Sequence, residues 1–374
     1  MEIGIDASRL AVGQRTGTEN YAYQIVRALA ALDQHNRYTL YFNQPPVGAE
    51  ALLAALPNRW RTRNLPARRL WTHLRLSREM ATAAPRVLFV PAHVVPAIHP
   101  RTVVTLHDLG YLRYPEAHSR LSRYYLRLST IWSARAARQI IAVSAATARD
   151  VVQHSGVSAA KVRVVYHGYD DARFVPVVDE AAIAAAKVRL GLQATESYVL
   201  YVGTIQPRKN LTRLVEAFAA SGCAGDYRLV LGGKRGWLSD EIYATASRLG
   251  LQNRVLFPGY LNDDDLPALY SGATLFAFPS LYEGFGLPVL EAMAAGTPVL
   301  AANASSLPEI VGDAAVQCDP QDTASIAAAL HWALSDANLR SSLRQRGLQQ
   351  AQQFSWRRCA TETLAVLEEV GSGQ

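Results

Sequence analysis

Short apolar runs alternate with helix-length stretches along almost the whole of this 374-residue chain, and that alternation restricts its fold more than any other feature. Runs at residues 3–7, 38–42, 87–90, 103–106, 140–143 and 162–166 are apolar at nearly every position, as strands buried on both faces require. Such strands, each followed by a helix, build an open parallel sheet with helices on either side. Between residues 170 and 196 the pattern breaks into Pro176, a polar run and an alanine-rich helix without a strand, which marks a linker. A second series begins with runs at 198–202, 227–231, 255–257, 275–278, 299–301 and 315–318. The chain closes on helical stretches at 323–335, 339–353 and 356–370. A single hydrophobic core rarely serves this length. The expectation is α/β architecture in two Rossmann-like open-sheet domains, residues 1–178 and 179–354, facing each other across a cleft. Ligands of such sheets bind beyond the carboxyl ends of the strands, so the residues that follow each strand matter most.

A hydrophobic content of 49% with 18% charged residues belongs to a folded globular protein. The widely spaced Cys223, Cys318 and Cys359 offer neither a disulfide framework nor a Cys-x-x-Cys zinc pair. Met1 to Asp6 reads as a strand rather than a leader, and no run is long enough for a membrane span, so a cytoplasmic location is expected. The net charge of +7 is unevenly spread: residues 1–178 hold 23 Lys+Arg against 11 Asp+Glu, and the remainder 15 against 20. The first half is the one suited to an anionic partner or membrane surface. Two stretches there concentrate basic and aromatic residues. One runs from Arg59, Trp60, Arg61 and Arg63 through Arg68, Arg69 and Trp71 to Arg78; the other is a helix with Arg120, Arg123 and Arg127 on one face. A solvated basic face has this composition, and so does a surface that grips anionic lipid or a polyprenyl diphosphate. No RNP-like, helix-turn-helix or zinc pattern supports nucleic-acid binding.

In the second half, Ser280-Leu-Tyr-Glu-Gly-Phe-Gly-Leu-Pro-Val-Leu-Glu291 turns from a buried strand into a helix with Pro288 in its first turn. Glu283 lies in the loop, where a carboxylate accepts hydrogen bonds from sugar hydroxyls, and Glu291 lies about a turn into the helix. Gly284 and Gly286 let the backbone approach a ligand, and free helix N–H groups suit an anion. A plain tight turn followed by a solvated glutamate fits the same spacing. After the strand at 198–202, Gly203-Thr-Ile-Gln-Pro-Arg-Lys209 opens another helix. Arg208 and Lys209 oppose the macrodipole there; a bound phosphate relieves the conflict, while two solvated cations would tolerate it at small cost. In the first half, a buried strand ends in His107, placed to hydrogen-bond a substrate or exchange a proton, or to serve a structural role. The loop Arg15-Thr-Gly-Thr-Glu-Asn20 sets Gly17 and Thr18 at a helix start. Thr16 and Glu19 fit a capping box, and Gly17 leaves room for a ligand. Asp263-Asp-Asp265 also sits at a helix start, where capping explains it.

Together these residues resemble the retaining glycosyltransferases of family 4, a GT-B group that includes bacterial mannosyltransferases of surface-polysaccharide assembly. The likeness runs through Tyr201 to Leu211, Phe257 to Tyr260, Phe278 to Ala294, Gly296 to Val299 and Leu307 to Glu309. In the first half it runs through the glycine loop, Val104 to Asp108 and Val143-Ser144, so it covers nearly the whole chain. The resemblance implies that Glu283 holds donor-sugar hydroxyls, with the backbone of Phe285, Gly286 and Leu287 near the sugar or diphosphate and Glu291 on the ribose. Lys209, helped by Arg208, would neutralise the diphosphate beside Gly203. Thr204 stands where many members carry arginine, so the two cations must carry that charge between them. His107 would line the catalytic centre, and Gly17 and Thr18 the acceptor and diphosphate loop. No metal or other cofactor is implied beyond a nucleotide-sugar donor, with GDP-mannose favoured and UDP-glucose or a nucleotide deoxysugar as alternatives. The implied acceptor is a glycan or a polyprenyl-diphosphate-linked glycan, met in the N-terminal domain at the cytoplasmic membrane surface. Residues 355–374 would cross back onto that domain, leaving 179–354 as the donor domain. A sugar-nucleotide epimerase and a non-catalytic nucleotide-sugar-binding relative are the more distant readings.

Overall fold

The computed structural model describes residues 1–12, 17–67, 70–115 and 119–373. Thr16 of the expected capping box and Arg68 and Arg69 of the first basic stretch lie outside the described residues. The chain divides into two compact units, Met1–Gly168 with Ser355–Gln374, and Tyr169–Phe354.

Among the described residues, the first unit has a sheet of seven parallel strands: β1 Glu2–Asp6, β2 Arg37–Phe42, β3 Trp60–Asn64, β4 Val87–Val90, β5 Arg101–Leu106, β6 Gln139–Ala142 and β7 Val162–Val164. Their order is β3-β2-β1-β4-β5-β6-β7. Because strand side chains alternate between faces, Val87 and Phe89 enter one core with Ile3, Ile5 and Val103, while Leu88 and Val90 enter the other with Val104 and Leu106. The first core is closed by helix Gly17–Leu32, through Tyr21, Ile25 and Leu29, and by the C-terminal helix Trp356–Ser372, through Trp356, Leu367 and Val370. Ser355 starts that last helix by accepting the Arg358 N–H at 3.1 Å.

Strand β3 corrects the reading of the first basic stretch. Arg59 to Arg63 does not offer its tryptophan to an external surface: Trp60 stacks on Tyr38 of the neighbouring strand, 3.9 Å between ring centroids and 8° between planes. Arg63 pairs with buried Glu79 at 2.8 Å, and the indole of buried Trp71 donates to the Leu65 carbonyl at 2.7 Å. The stretch belongs to a sheet edge, where alternating arginines keep a strand from pairing with other chains.

The second unit has six parallel strands: β8 Ser197–Val202, β9 Tyr227–Gly232, β10 Val255–Gly259, β11 Leu275–Phe278, β12 Val299–Ala302 and β13 Ala315–Cys318. Their order is β10-β9-β8-β11-β12-β13, so consecutive numbering breaks between β8 and β11, as it does between β1 and β4 in the first unit. Each break is a switch point, where the loops of adjacent strands depart in opposite directions and leave a crevice. At Asp263–Asp265, Asn262 does the capping, accepting the Asp264 N–H at 3.1 Å; Asp265 instead pairs with Arg189 at 2.5 Å. The three cysteines are free and buried. Among the described residues no helix is long and apolar enough to cross a membrane.

Candidate active site

The loops after β8 and β11 leave the second sheet at its switch point, and they carry the residues that the sequence singles out. After β8, Gly203 and Thr204 lead to a 3-10 turn, Pro207–Lys209, which ends in Asn210 with a left-handed φ of 61° before helix Leu211–Ala220. Asn210 holds this shape by donating to the carbonyls of Pro279 at 3.0 Å and Pro320 at 2.7 Å, so the β8 loop is fastened to the start of the β11 loop. Gly203 lies against Gly233, where φ is 149° and an added Cβ would fall 1.9 Å from the Gly203 oxygen. The β11 loop ends at Gly286, φ 112°, which opens helix Leu287–Ala294. A side chain at Gly286 would be strained by that φ and would meet Leu307 at 2.8 Å.

The fastened loops bring Lys209, Arg208 and Glu283 together. Lys209 Nζ donates to Glu283 Oε1 at 2.5 Å, and Arg208 Nη1 reaches Glu283 Oε2 at 3.3 Å while donating to the Tyr282 carbonyl at 2.5 Å. Lys209 and Glu283 are both buried, and Lys209 Nζ also stands 5.0 Å over the ring of Phe278. Burial alone would raise the Glu283 carboxyl; the charges of Lys209 and Arg208 overcome it and hold the group below its ordinary value. The two cations thus turn toward a carboxylate of their own chain, which offsets their unfavourable place at a helix N-terminus.

Glu291 lies apart from this cluster, partly buried and accepting from Tyr270 Oη at 3.1 Å. Burial pushes its carboxyl up to about 7, against the pull of the Tyr270 hydroxyl and Arg173. Phe285 is buried, its ring edge-on to Phe354 at 5.9 Å. Leu287 is partly buried and Thr204 is exposed.

In the first unit, His107 follows β5 and is buried; its Nε2 donates to the Pro91 carbonyl at 2.8 Å. That bond fixes the neutral tautomer with Nδ1 as acceptor. Burial lowers the imidazole to about 4, with His93 adding to the shift and the Pro91 carbonyl opposing it. A ring held neutral near pH 7 is a hydrogen-bonding group rather than a proton donor. Gly17 opens helix Gly17–Leu32 with nothing within 4 Å of an added Cβ, so packing does not demand glycine there, and Thr18 follows in the first turn. Among the described residues no group of three or more His, Cys, Asp or Glu side chains is placed to hold a metal ion.

Two family signatures divide the chain as the sheets do. Residues 15–173 match the family described as Glycosyltransferase Family 4, and residues 183–350 match Glycosyl transferases group 1. The O-antigen chain mannosyltransferase B of Escherichia coli is 35% identical over 273 residues, covering 71% of this chain and 69% of that protein. The chain belongs to glycosyltransferase family 4. A serotype-specific mannosyltransferase WbdA of Escherichia coli is 30% identical over 76% of this chain, which spans only 36% of that longer protein. The solved structure of Anabaena Alr3699/HepE in complex with UDP-glucose superposes with a TM-score of 0.77 at 21% identity, covering 98% of this chain and 99% of the other. At that identity the match speaks for the fold, GT-B, with its two Rossmann-like parallel-sheet domains.

In this family 4 glycosyltransferase, residues that the sequence did not single out pack against those that it did. Ser306 Oγ donates to the carbonyls of Glu283 at 3.0 Å and Phe285 at 2.8 Å, and Ser305 Oγ accepts the Glu283 N–H at 2.9 Å, from a backbone with φ 52°. These serines follow β12, and neighbouring Leu307-Pro308-Glu309 was the available signal. His93, φ 50°, follows β4 at the first sheet's switch point, 5.5 Å from His107. A non-glycine residue in that conformation is uncommon and is found disproportionately at functional sites; its sequence context carries no signal.

Proposed function

We propose that this enzyme transfers mannose from GDP-mannose to a lipid-linked glycan during cell-surface polysaccharide assembly, at the cytoplasmic face of a membrane and with retention of anomeric configuration. The observation that carries the reading is the buried Lys209–Glu283–Arg208 cluster at the switch point of the second sheet. Kinship with the O-antigen chain mannosyltransferase B supports the sugar and the setting. On donor binding, the diphosphate takes over Lys209 and Arg208, which frees Glu283 to accept hydrogen bonds from the sugar hydroxyls. Gly203 and Thr204 flank the diphosphate, the N–H groups at Phe285, Gly286 and Leu287 face it across the loop, and Glu291 accepts from the ribose.

In the reaction, the acceptor hydroxyl oxygen bonds to the anomeric carbon on the face from which the diphosphate departs. The C–O bond to the diphosphate breaks, its electron pair stays on the leaving oxygen, and that oxygen takes the acceptor's proton. Negative charge grows on the diphosphate, where Lys209 and Arg208 are placed in advance to stabilise it. His107 serves the substrate as a neutral hydrogen-bonding group, and Gly17 and Thr18 serve the acceptor.

The test is transfer of radiolabelled mannose from GDP-mannose to a polyprenyl-diphosphate-linked glycan, with the anomeric configuration of the product read by NMR. Glu283→Ala and Lys209→Ala should each lower kcat/KM by about 100-fold. Turnover like that of the unsubstituted enzyme in both variants contradicts the site. A second reading, UDP-glucose as donor, is favoured by the UDP-glucose held in the HepE structure; glucose transfer in the same assay decides for it.

A further inference from the structure

The helix Arg120–Ala136 is turned inside out. Its buried residues are Ser129, Thr130, Ser133 and Ala134, all small and mostly polar, whereas Leu121, Tyr124, Tyr125, Leu128 and Trp132 are between 43% and 80% exposed. Their spacing, at i, i+3, i+4, i+7 and i+11, makes one continuous stripe along the solvent side. The helix cannot roll to hide it: Ser133 Oγ accepts the Val95 N–H at 2.9 Å, and the Trp132 indole donates to the Val95 carbonyl at 3.2 Å. The Val95 to Ile98 segment leads to a second exposed apolar turn, because the Ile98 N–H donates to Ser77 Oγ at 3.2 Å, just after Trp71–Leu76. Leu74 and Ile98 are exposed there, and Leu70 is exposed from a left-handed backbone, φ 53°.

Charge identifies the occupant. The helix holds four arginines and no acidic residue, and Arg120, Arg123 and Arg127 run exposed along one flank of the stripe. A second copy of the same face would set arginine against arginine. Nucleic acid could stack on the rings but would leave the leucines in water. An anionic bilayer satisfies both parts at once: leucine side chains enter the acyl boundary, tyrosine and tryptophan sit at the headgroup level, and the guanidinium groups meet lipid phosphates.

We infer that helix Arg120–Ala136 is an interfacial anchor, lying in the surface of an anionic membrane with its leucine–aromatic stripe inserted. This deepens the membrane part of the reading above and, of the two basic stretches, rests it chiefly on this helix, since the tryptophans of the other are buried. Attachment then has an apolar component that salt does not remove.

The experiment is co-sedimentation with phosphatidylcholine vesicles, with and without phosphatidylglycerol, at low and high salt. The unsubstituted protein should bind the anionic vesicles, and Leu121→Ser/Leu128→Ser should weaken that binding about tenfold or more. Arg120→Ser/Arg123→Ser/Arg127→Ser should abolish the preference for phosphatidylglycerol. Thermal unfolding with GDP-mannose is run in parallel: the leucine variant should keep the shift of the unsubstituted protein, since its substitutions lie on an exposed face. A shift absent from both proteins counts against the donor reading and leaves the anchor standing. Unchanged vesicle binding by the leucine variant overturns the anchor, as does no binding by the unsubstituted protein. Sedimentation velocity covers the remaining case: a dimer that the leucine variant dissociates, without vesicle binding, makes the stripe a self-interface and overturns the proposal.

Discussion

Glu283 is buried with two cations within 3.3 Å, and its carboxyl is lowered because their charge outweighs its loss of solvent. A carboxyl lowered on folding stabilises the fold fully above its unfolded value, near 4.5, and that contribution is lost as pH falls through the folded value. Lys209→Met should therefore cost about 2 kcal/mol at pH 7, with the deficit shrinking in acid as Glu283 takes up a proton. Adding Glu283→Gln should recover most of the loss at pH 7. Urea denaturation across pH reports both, and a Lys209→Met variant as stable as its parent at pH 7 would rule the compensation out. Glu291 has the opposite sign. Its carboxyl is raised from 4.5 to about 7, so the protonated form favours folding below pH 4.5 and that advantage disappears as pH rises through 7. Glu291→Gln should raise the thermal midpoint at pH 8 and leave it unchanged at pH 4; an equal effect at both would remove burial as the cause. The pairing of Lys209 with Glu283 was half legible in the sequence, since each residue follows a buried strand. Tyr270, Ser305 and Ser306 were not, because each meets Glu291 or Glu283 through tertiary contacts that no local pattern encodes, and His93 meets His107 in the same way.

At the scale of elements, the β8 and β11 loops owe their geometry to glycines and to one asparagine. Gly286→Ala must hold φ at 112° and displace Leu307, which should cost about 1–3 kcal/mol and weaken donor binding by shifting the start of helix Leu287–Ala294. Chemical denaturation together with donor titration checks this; full stability and full affinity would mean that the corner is more pliable than its backbone implies. The sequence revealed most strands because they are apolar at every position, but it missed β3. Alternating Arg59, Trp60, Arg61, Thr62 and Arg63 follows a strand's period of two, with Arg61 and Arg63 on one face of an edge strand and Trp60 on the other. Its basic and aromatic composition instead suggested a surface-binding stretch. The stacking of Trp60 on Tyr38 predicts that Trp60→Ala lowers the unfolding free energy by about 3 kcal/mol, measured by urea titration. A loss under 1 kcal/mol would return the tryptophan to the surface.

At the scale of the whole chain, both sheets run outward from a first strand in the same order, and the sequence foretold that class through alternation alone. It could not foretell which of the two basic stretches is free to meet a partner. Both mix arginines with aromatic residues, and packing separates the aromatic ones: Trp60 of β3 is buried, whereas Tyr124, Tyr125 and Trp132 of helix Arg120–Ala136 are exposed. We propose a donor site at the switch point of the second sheet, where Lys209 and Glu283 exchange their mutual bond for a nucleotide sugar. The most direct measurement is thermal unfolding with GDP-mannose, UDP-glucose and free GDP, on the unsubstituted enzyme and on Lys209→Ala. GDP-mannose should stabilise the unsubstituted enzyme by about 2.7 kcal/mol at roughly 100 times its Kd and do little for the variant. Equal stabilisation of both proteins, or none of either by any of the three ligands, would contradict it.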